Sequence, residues 1–359
     1  MIKQAIAKVV RGTNLSEAEM VETMKEVFDG RASSSQIGVF ATALRMKGET
    51  VDEIAGAARA LRSKTKKLSL ENHFLNLDRE DINVEGETIL NTTDTGQEGT
   101  STFNISTATV FVVAGAGIKV VRHGNRAASM YFGAADVLAN LGVNLDIPLS
   151  DVERCVREVG IGFLFTPLSQ GAMRHVADLR EEMGIRTIFN LIGPLANPAG
   201  ASAHVLGVYE SSLTEKMAQV LLKLGAGEAF VVYGEGTIDE ISICGPTHIS
   251  RLKNGEVESF VIEPENYGMK RADRESIKGG DARKNAQIIN DVLDGETGPK
   301  RDVVVLNAAA AFVAAGLDSS LEDGIRRAAG IIDSGTARKK LNQLVEFTSR
   351  CRPFIRKEL

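Results

Sequence analysis

Asp94-Thr-Gly-Gln-Glu-Gly-Thr-Ser-Thr-Phe-Asn-Ile-Ser-Thr107 follows the short apolar run Thr88–Thr92 and leads directly into Ala108–Ile118, which is almost wholly apolar. The order reads as a strand, a glycine-containing turn and the start of a buried helix. Such a turn exposes backbone N–H groups, and the helix N-terminus adds a positive partial charge. Thr102, Asn104, Ser106 and Thr107 add short neutral polar groups. Together they are equipment for cradling phosphate oxygens, although a hydroxyl-rich helix cap uses the same residue types.

Outward from this segment the strand–helix alternation continues. Further strands are expected at Ile118–Val121, Gly162–Phe165, His204–Val208 and Phe230–Tyr233. Helices are expected at Asn104–Ala114, Ala134–Leu141, Asp151–Val159 and Leu213–Leu224. This pattern predicts a large α/β domain over residues 85–359 with a mostly parallel central sheet. Lys253-Asn-Gly-Glu256 between alternating runs predicts a hairpin turn. Asp302–Gly316 reads as a buried helix, and Leu321–Thr348 as an amphipathic helical region.

Upstream, residues 1–70 read as a small all-helical N-terminal domain. Ser16 with Glu19 and Thr50 with Glu53 form capping-box patterns, and Gly30 and Gly48 mark helix ends. Ile37, Phe40, Ala41 and Leu44 follow helical spacing. Ser63–Asn83 is charged and irregular, as a linker would be. The helical segment Gly171–Asn190 is expected to pack back on the first helices, so that part of 170–192 completes the small domain and a cleft separates the two.

Composition bounds the function. The chain has 359 residues, 43% hydrophobic and 25% charged, with 35 glycines and no Trp. A formal charge of -5 and a pI of about 5.7 argue against a nucleic-acid partner. Ala108–Ile118 is too short to span a bilayer. The N-terminal MIKQAIAKVV has no signal-peptide core. Three widely spaced cysteines fit a reducing cytoplasm rather than a disulfide framework or a Cys-rich zinc site.

Three further clusters carry chemistry. Arg122-His-Gly-Asn-Arg-Ala-Ala-Ser129 follows a strand, at the end where ligands sit in open α/β sheets. Its arginines suit phosphate. Asp239-Glu240 follows the strand at Phe230–Tyr233. Adjacent carboxylates on a loop suit Mg2+, which takes few protein ligands and bridges to phosphates, but an isolated pair of this kind is most often a solvated surface feature. Arg180 lies in the helical Asp178-Leu-Arg-Glu-Glu182, near Arg186, Asn190 and Gly193-Pro194; by itself it reads as an exposed helical ion pair. No nucleophile–base pairing, zinc signature or Walker loop is present, and no side chain stands out as a strong acid or base. The set favours a reaction helped by positioning and charge neutralisation.

At these residues the chain resembles the anthranilate phosphoribosyltransferase family. FNISTA at 103–108, HGNR at 123–126, AADVLANLGVNLD at 134–146, GIRTIFNLIGPLANP at 184–198 and IDEIS at 238–242 follow in the family's order, over nearly the whole length. The resemblance implies a small helical domain plus a large α/β domain of the nucleoside phosphorylase/phosphoribosyltransferase type, with the active site in the cleft and a homodimer through the helical domains. It implies transfer of the phosphoribosyl group of phosphoribosyl pyrophosphate to anthranilate, in tryptophan biosynthesis. Gly96, Glu98, Thr102, Asn104, Ile105, Ser106, Thr107, Arg122, His123, Gly124, Asn125 and Ser129 would bind the donor. Asn125 and Arg180 would meet the acceptor, and Ser106, Asp239 and Glu240 would hold Mg2+. The chain departs from the pattern on the donor side, where Arg122 also replaces the usual Lys before HGN. The family's Gly-Thr-Gly-Gly-Asp-Gly is Asp94-Thr-Gly-Gln-Glu-Gly99 here, and Met130, Tyr131 and Phe132 stand where the family has Lys and hydroxyls. A carboxylate about 4 Å from a phosphate charge repels it by roughly 1 kcal/mol in water and more when shielded. The alternatives are a paralogue with a different donor or acceptor, and a non-catalytic binding protein on the same fold. The Lys-His-Ser-x-Arg signature of pyrimidine nucleoside phosphorylases is not matched by HGNR.

Overall fold

The computed structural model describes residues 1–70, 88–94, 102–124, 133–165, 171–237 and 239–352. Gly96, Glu98, Asn125, Ser129 and the Met130–Phe132 run lie outside the described residues.

The chain opens with four helices, α1 (Ile2–Val9), α2 (Glu17–Phe28), α3 (Ser34–Lys47) and α4 (Val51–Lys64). Both expected capping boxes form, and a third at Ser33 and Gln36 opens α3. The Thr50 box does more than cap. Its Glu53 is fully buried, accepts from the Leu15 and Thr50 N–H groups, and pairs with Lys47 at 2.9 Å. Helix α4 continues through Lys64, so the irregular run starts at Thr65. Leu68 is buried there, its N–H donating to Pro198 O at 3.0 Å.

There follow β1 (Ile89–Asp94), α5 (Ile105–Gly115), β2 (Lys119–Gly124), α6 (Ala134–Asn140), α7 (Leu149–Glu158) and β3 (Ile161–Phe165). A 3-10 turn at Gly171–Met173 precedes α8 (Arg174–Met183) and α9 (Ile188–Ile192). Then come β4 (Ala203–Gly207), α10 (Leu213–Lys223), β5 (Glu228–Gly234), β6 (Thr247–Lys253) and β7 (Glu256–Ile262). Helices α11 (Ala282–Leu293), α12 (Pro299–Ala314), α13 (Leu321–Asp333) and α14 (Thr336–Ser349) close the described chain. The amphipathic C-terminal region is thus two helices, broken at Ser334-Gly335.

The strands form one seven-stranded sheet of order β3-β2-β1-β4-β5-β6-β7. The first five are parallel, and β6 and β7 add an antiparallel hairpin. Asn254 and Gly255, at φ 51° and 80°, supply the two left-handed residues that its tight turn needs. The topology reverses between β1 and β4, where open α/β sheets bind ligands at the strand C-termini.

Side chains alternate across the sheet. Leu90, Val205, Phe230 and Val232 pack with α5, α11, α12 and α13 in one apolar cluster. Leu206, Val231 and Ala229 face the other way. They share a second cluster with Met20, Met24, Phe40 and Leu61 of the N-terminal helices and with Met173, Val176, Ile188 and Phe189. The 171–192 segment therefore packs on the N-terminal helices, and both pack on the sheet.

Candidate active site

The acidic turn follows β5. Asp239 and Glu240 are almost completely buried, at 3% and 4% exposure, which is unusual for adjacent carboxylates. Two glycines permit this. A Cβ on Gly207, at the C-terminal end of β4, would lie 1.8 Å from the Asp239 carbonyl oxygen. A Cβ on Gly234, at the end of β5, would lie 2.2 Å from the Glu240 carbonyl oxygen. The turn thus lies directly on the ends of two strands. Thr237 Oγ1 donates to Glu240 O at 2.9 Å. Asn307, buried in α12, completes the hold: its Oδ1 accepts from Ile241 N at 2.9 Å and its Nδ2 donates to Ile241 O at 2.8 Å.

The phosphate-type turn meets this acidic turn. Ser106, in the first turn of α5, donates its N–H to Glu240 Oε1 at 3.3 Å. A carboxylate at a helix N-terminus is favourably placed against the helix dipole. Residues 102–104 are braced from the far side of the sequence. Thr102 pairs with Lys278 in an antiparallel bridge, and Phe103 N donates to Ile277 O at 3.2 Å. Asn285 Nδ2 donates to Asn104 Oδ1 at 3.0 Å while its own Oδ1 accepts from Gly280 N.

The Arg122 cluster joins from β2. Arg122 is 6% exposed, and its Nη1 donates to Thr107 Oγ1 at 3.3 Å, so the basic strand end and α5 are in contact. His123 Nε2 lies 3.0 Å from Gly193 O, which assigns its proton to that nitrogen and ties β2 to the Gly193-Pro194 turn. Gly124 ends β2. Ile105 is buried in the apolar core and its N–H donates to Phe103 O at 2.8 Å, so it presents no polar side chain to the cleft. Arg180 is half-buried on α8, whose Val176 and Leu179 pack with the N-terminal helices. Neighbouring Arg186 stacks 4.5 Å from the Tyr209 ring centroid, and Asn190 Oδ1 accepts from Thr187 N.

Three expected clusters therefore converge in pairs: Ser106 with Glu240, and Thr107 with Arg122. Asn285, Asn307, Gly207 and Gly234 were not singled out from sequence. Asn307 had a signal, being the one polar residue within Val303–Ala314. Asn285 and Gly207 had none, since their partners are distant in the chain, and Gly234 shows its role only once the turn at 237–242 folds back on it.

No group of three His, Cys, Asp or Glu side chains suited to a metal occurs among the described residues. Mg2+ does not need one. It binds through one or two carboxylates and completes its shell with water and substrate phosphates. Two buried carboxylates beside the Ser106 turn fit that requirement, and their like charges favour a divalent ion between them and a polyanion.

Comparison with known proteins follows the same division. Residues 86–338 match the α/β domain of a glycosyl transferase family, and residues 3–65 match the helical bundle domain of that family. Fold and site together define a two-part glycosyl transferase of the pentosyltransferase class. The anthranilate phosphoribosyltransferase of Syntrophotalea carbinolica is 50% identical over 351 residues, 97% of this chain and 99% of the relative. That of Geobacter sulfurreducens is 50% identical over 349 residues, 97% of this chain and all of the relative. The crystal structure of the Thermus thermophilus enzyme superposes with a TM-score of 0.87 at 38% identity, covering 96% of this chain and 99% of that one. A Saccharomyces cerevisiae structure in complex with PRPP and Mg gives 0.84 at 25% identity, covering 97% and 98%. The chain belongs to the anthranilate phosphoribosyltransferase family.

Proposed function

We propose that the chain transfers the phosphoribosyl group of phosphoribosyl pyrophosphate to anthranilate, releasing pyrophosphate, as a step of tryptophan biosynthesis. The observation that carries this reading is the Ser106 N–H on Glu240, which joins a phosphate-type helix N-terminus to an acidic turn at the topological switch of the sheet. In the reaction the bond between ribose C1 and the pyrophosphate oxygen breaks, and a bond from C1 to the anthranilate nitrogen forms. The amine proton leaves to solvent or to the released pyrophosphate. Arylamine nitrogen is already nucleophilic, so positioning rather than a strong base is required.

Thr102, Asn104, Ser106 and Thr107, with Arg122 behind Thr107, would hold the phosphates, joined by Gly96, Glu98, Gly124, Asn125 and Ser129. Asp239, Glu240 and Ser106 would hold Mg2+, which when bound supplies charge neutralisation for the departing pyrophosphate. Arg180, with Asn125, would clamp the acceptor, the guanidinium pairing with its carboxylate.

The domain division that fits this chemistry is a helical unit of 1–70 completed by part of 170–192, facing an α/β unit of 85–359. Met1, Val10, Val39 and Met46 are large apolar residues exposed on or beside α1 and α3, Met46 at 84%. They support a homodimer through these helices. No helix among the described residues is long and apolar enough to cross a membrane. A cytoplasmic location fits the three unpaired cysteines.

The test follows loss of anthranilate fluorescence with phosphoribosyl pyrophosphate and Mg2+. Turnover by the wild type that is lost in Asp239→Ala supports the reading. No wild-type turnover, in a folded protein, would remove it. Asp94→Gly with Gln97→Gly should raise turnover if the altered loop only weakens donor binding.

A further inference from the structure

At the opposite end of the sheet, by the N-terminal ends of β1 and β4, lies a cavity of about 460 Å3. It is bordered by the end of α4, residues 65–68, the 196–202 loop and the turn after α10. Its size is within the range of small-molecule sites. Among the described residues its lining contains Arg62 and Lys67 and no carboxylate.

Arg62 is the unusual member. Its Nε donates to Leu195 O at 2.7 Å and its Nη1 to Leu224 O at 3.2 Å. Those are neutral carbonyls, and among the described residues no carboxylate forms an ion pair with Arg62. Burial pushes this guanidinium below its ordinary value, and the nearby Arg59 charge adds to that. Beside it His204 is fully buried, with Nε2 3.0 Å from Ala201 O. Burial first, and then the Arg62 charge, push the imidazole down to about 4. A desolvated cation without a counter-ion is costly, and a guanidinium with a free edge on a cavity is well matched to a planar or tetrahedral oxyanion. Lys67, exposed at the rim, adds a second positive charge.

We propose that this cavity is a binding site for a small oxyanion of the carboxylate or phosphate class, held by Arg62 and Lys67. Occupancy would tie the end of α4 to the start of β4, across the packing between the N-terminal helices and the sheet. The site does not depend on the transferase reading, since it shares no residue with the acidic turn.

The test titrates the full chain separately with malonate and with inorganic phosphate, at ionic strength held constant with sodium chloride. Calorimetry reads the binding, and NMR reads the His204 imidazole. The expected result is one saturable site for one of the two anions, with an upward move of the His204 titration on binding. Lys67→Glu, which places a carboxylate at the rim, should weaken that binding at least tenfold. The anion that saturates identifies the ligand class. Absence of saturable binding by either anion overturns the proposal. So does equal affinity in Lys67→Glu, or an unmoved His204, since binding would then lie elsewhere.

Discussion

Glu53 and Glu240 are both buried glutamates, and they are built in opposite ways. Glu53 sits in a closed network: two backbone N–H groups satisfy its oxygens and Lys47 neutralises its charge. Glu240 follows Asp239 in one interior turn and accepts from the Ser106 N–H at a helix N-terminus. The first arrangement serves the fold. The second sets two carboxylates at the ends of β4 and β5 and is held in place by Gly207, Gly234 and Asn307. Removing Glu53 should therefore harm stability, and removing Asp239 should harm chemistry.

The largest expected effect is on turnover. Asp239→Ala should lower kcat/KM by about 100-fold or more, on the scale of losing one charge-stabilising group. A fall in Tm with turnover intact would erase the contrast between the two glutamates. Gly207→Ala should give a similar loss, because its methyl group cannot coexist with the Asp239 backbone.

Next in size is Glu53→Ala. It leaves Lys47 buried without its partner and two N–H groups unsatisfied, and should cost about 3–5 kcal/mol of unfolding free energy. Urea denaturation measures this, with kcat expected near wild type in the folded fraction. Asn307→Leu should cost about 1–3 kcal/mol for the stranded Ile241 groups. It should also raise the Mg2+ concentration needed for half-maximal turnover and speed amide exchange at Ile241. Stability loss without either local change would make Asn307 a core residue only.

His204 gives a pH signature remote from both glutamates. Its folded value of about 4 lies below the ordinary 6.5, so the unfolded chain takes up the proton first. Its contribution is complete above about pH 6.5 and is lost as pH falls towards 4. His204→Gln should flatten the stability profile across that window. The smallest effect is Thr50→Ala, about 1 kcal/mol for one cap.

The N-terminal helices were legible because their rules are local. Ser16 with Glu19, and Thr50 with Glu53, satisfy helix-end groups three residues apart. The position of the polar clusters along the strands was legible for a similar reason: the first two begin in the last residues of β1 and β2, and the acidic pair follows β5. Asn285 and Gly234 were not legible. An asparagine in α11 acquires meaning only when Asn104, 181 residues away, comes within 3.0 Å.

By itself the sequence determined which segments are helix or strand, and that phosphate-type and acidic groups follow strand ends. Those properties depend on periodicity, caps and turn chemistry within a few residues. Only the tertiary structure decided that Ser106 meets Glu240, that Arg122 reaches Thr107, and that Arg62 borders a cavity. Each of these depends on how parallel strands stack and which backbones can touch, and no local pattern encodes contacts between segments that lie far apart in the chain.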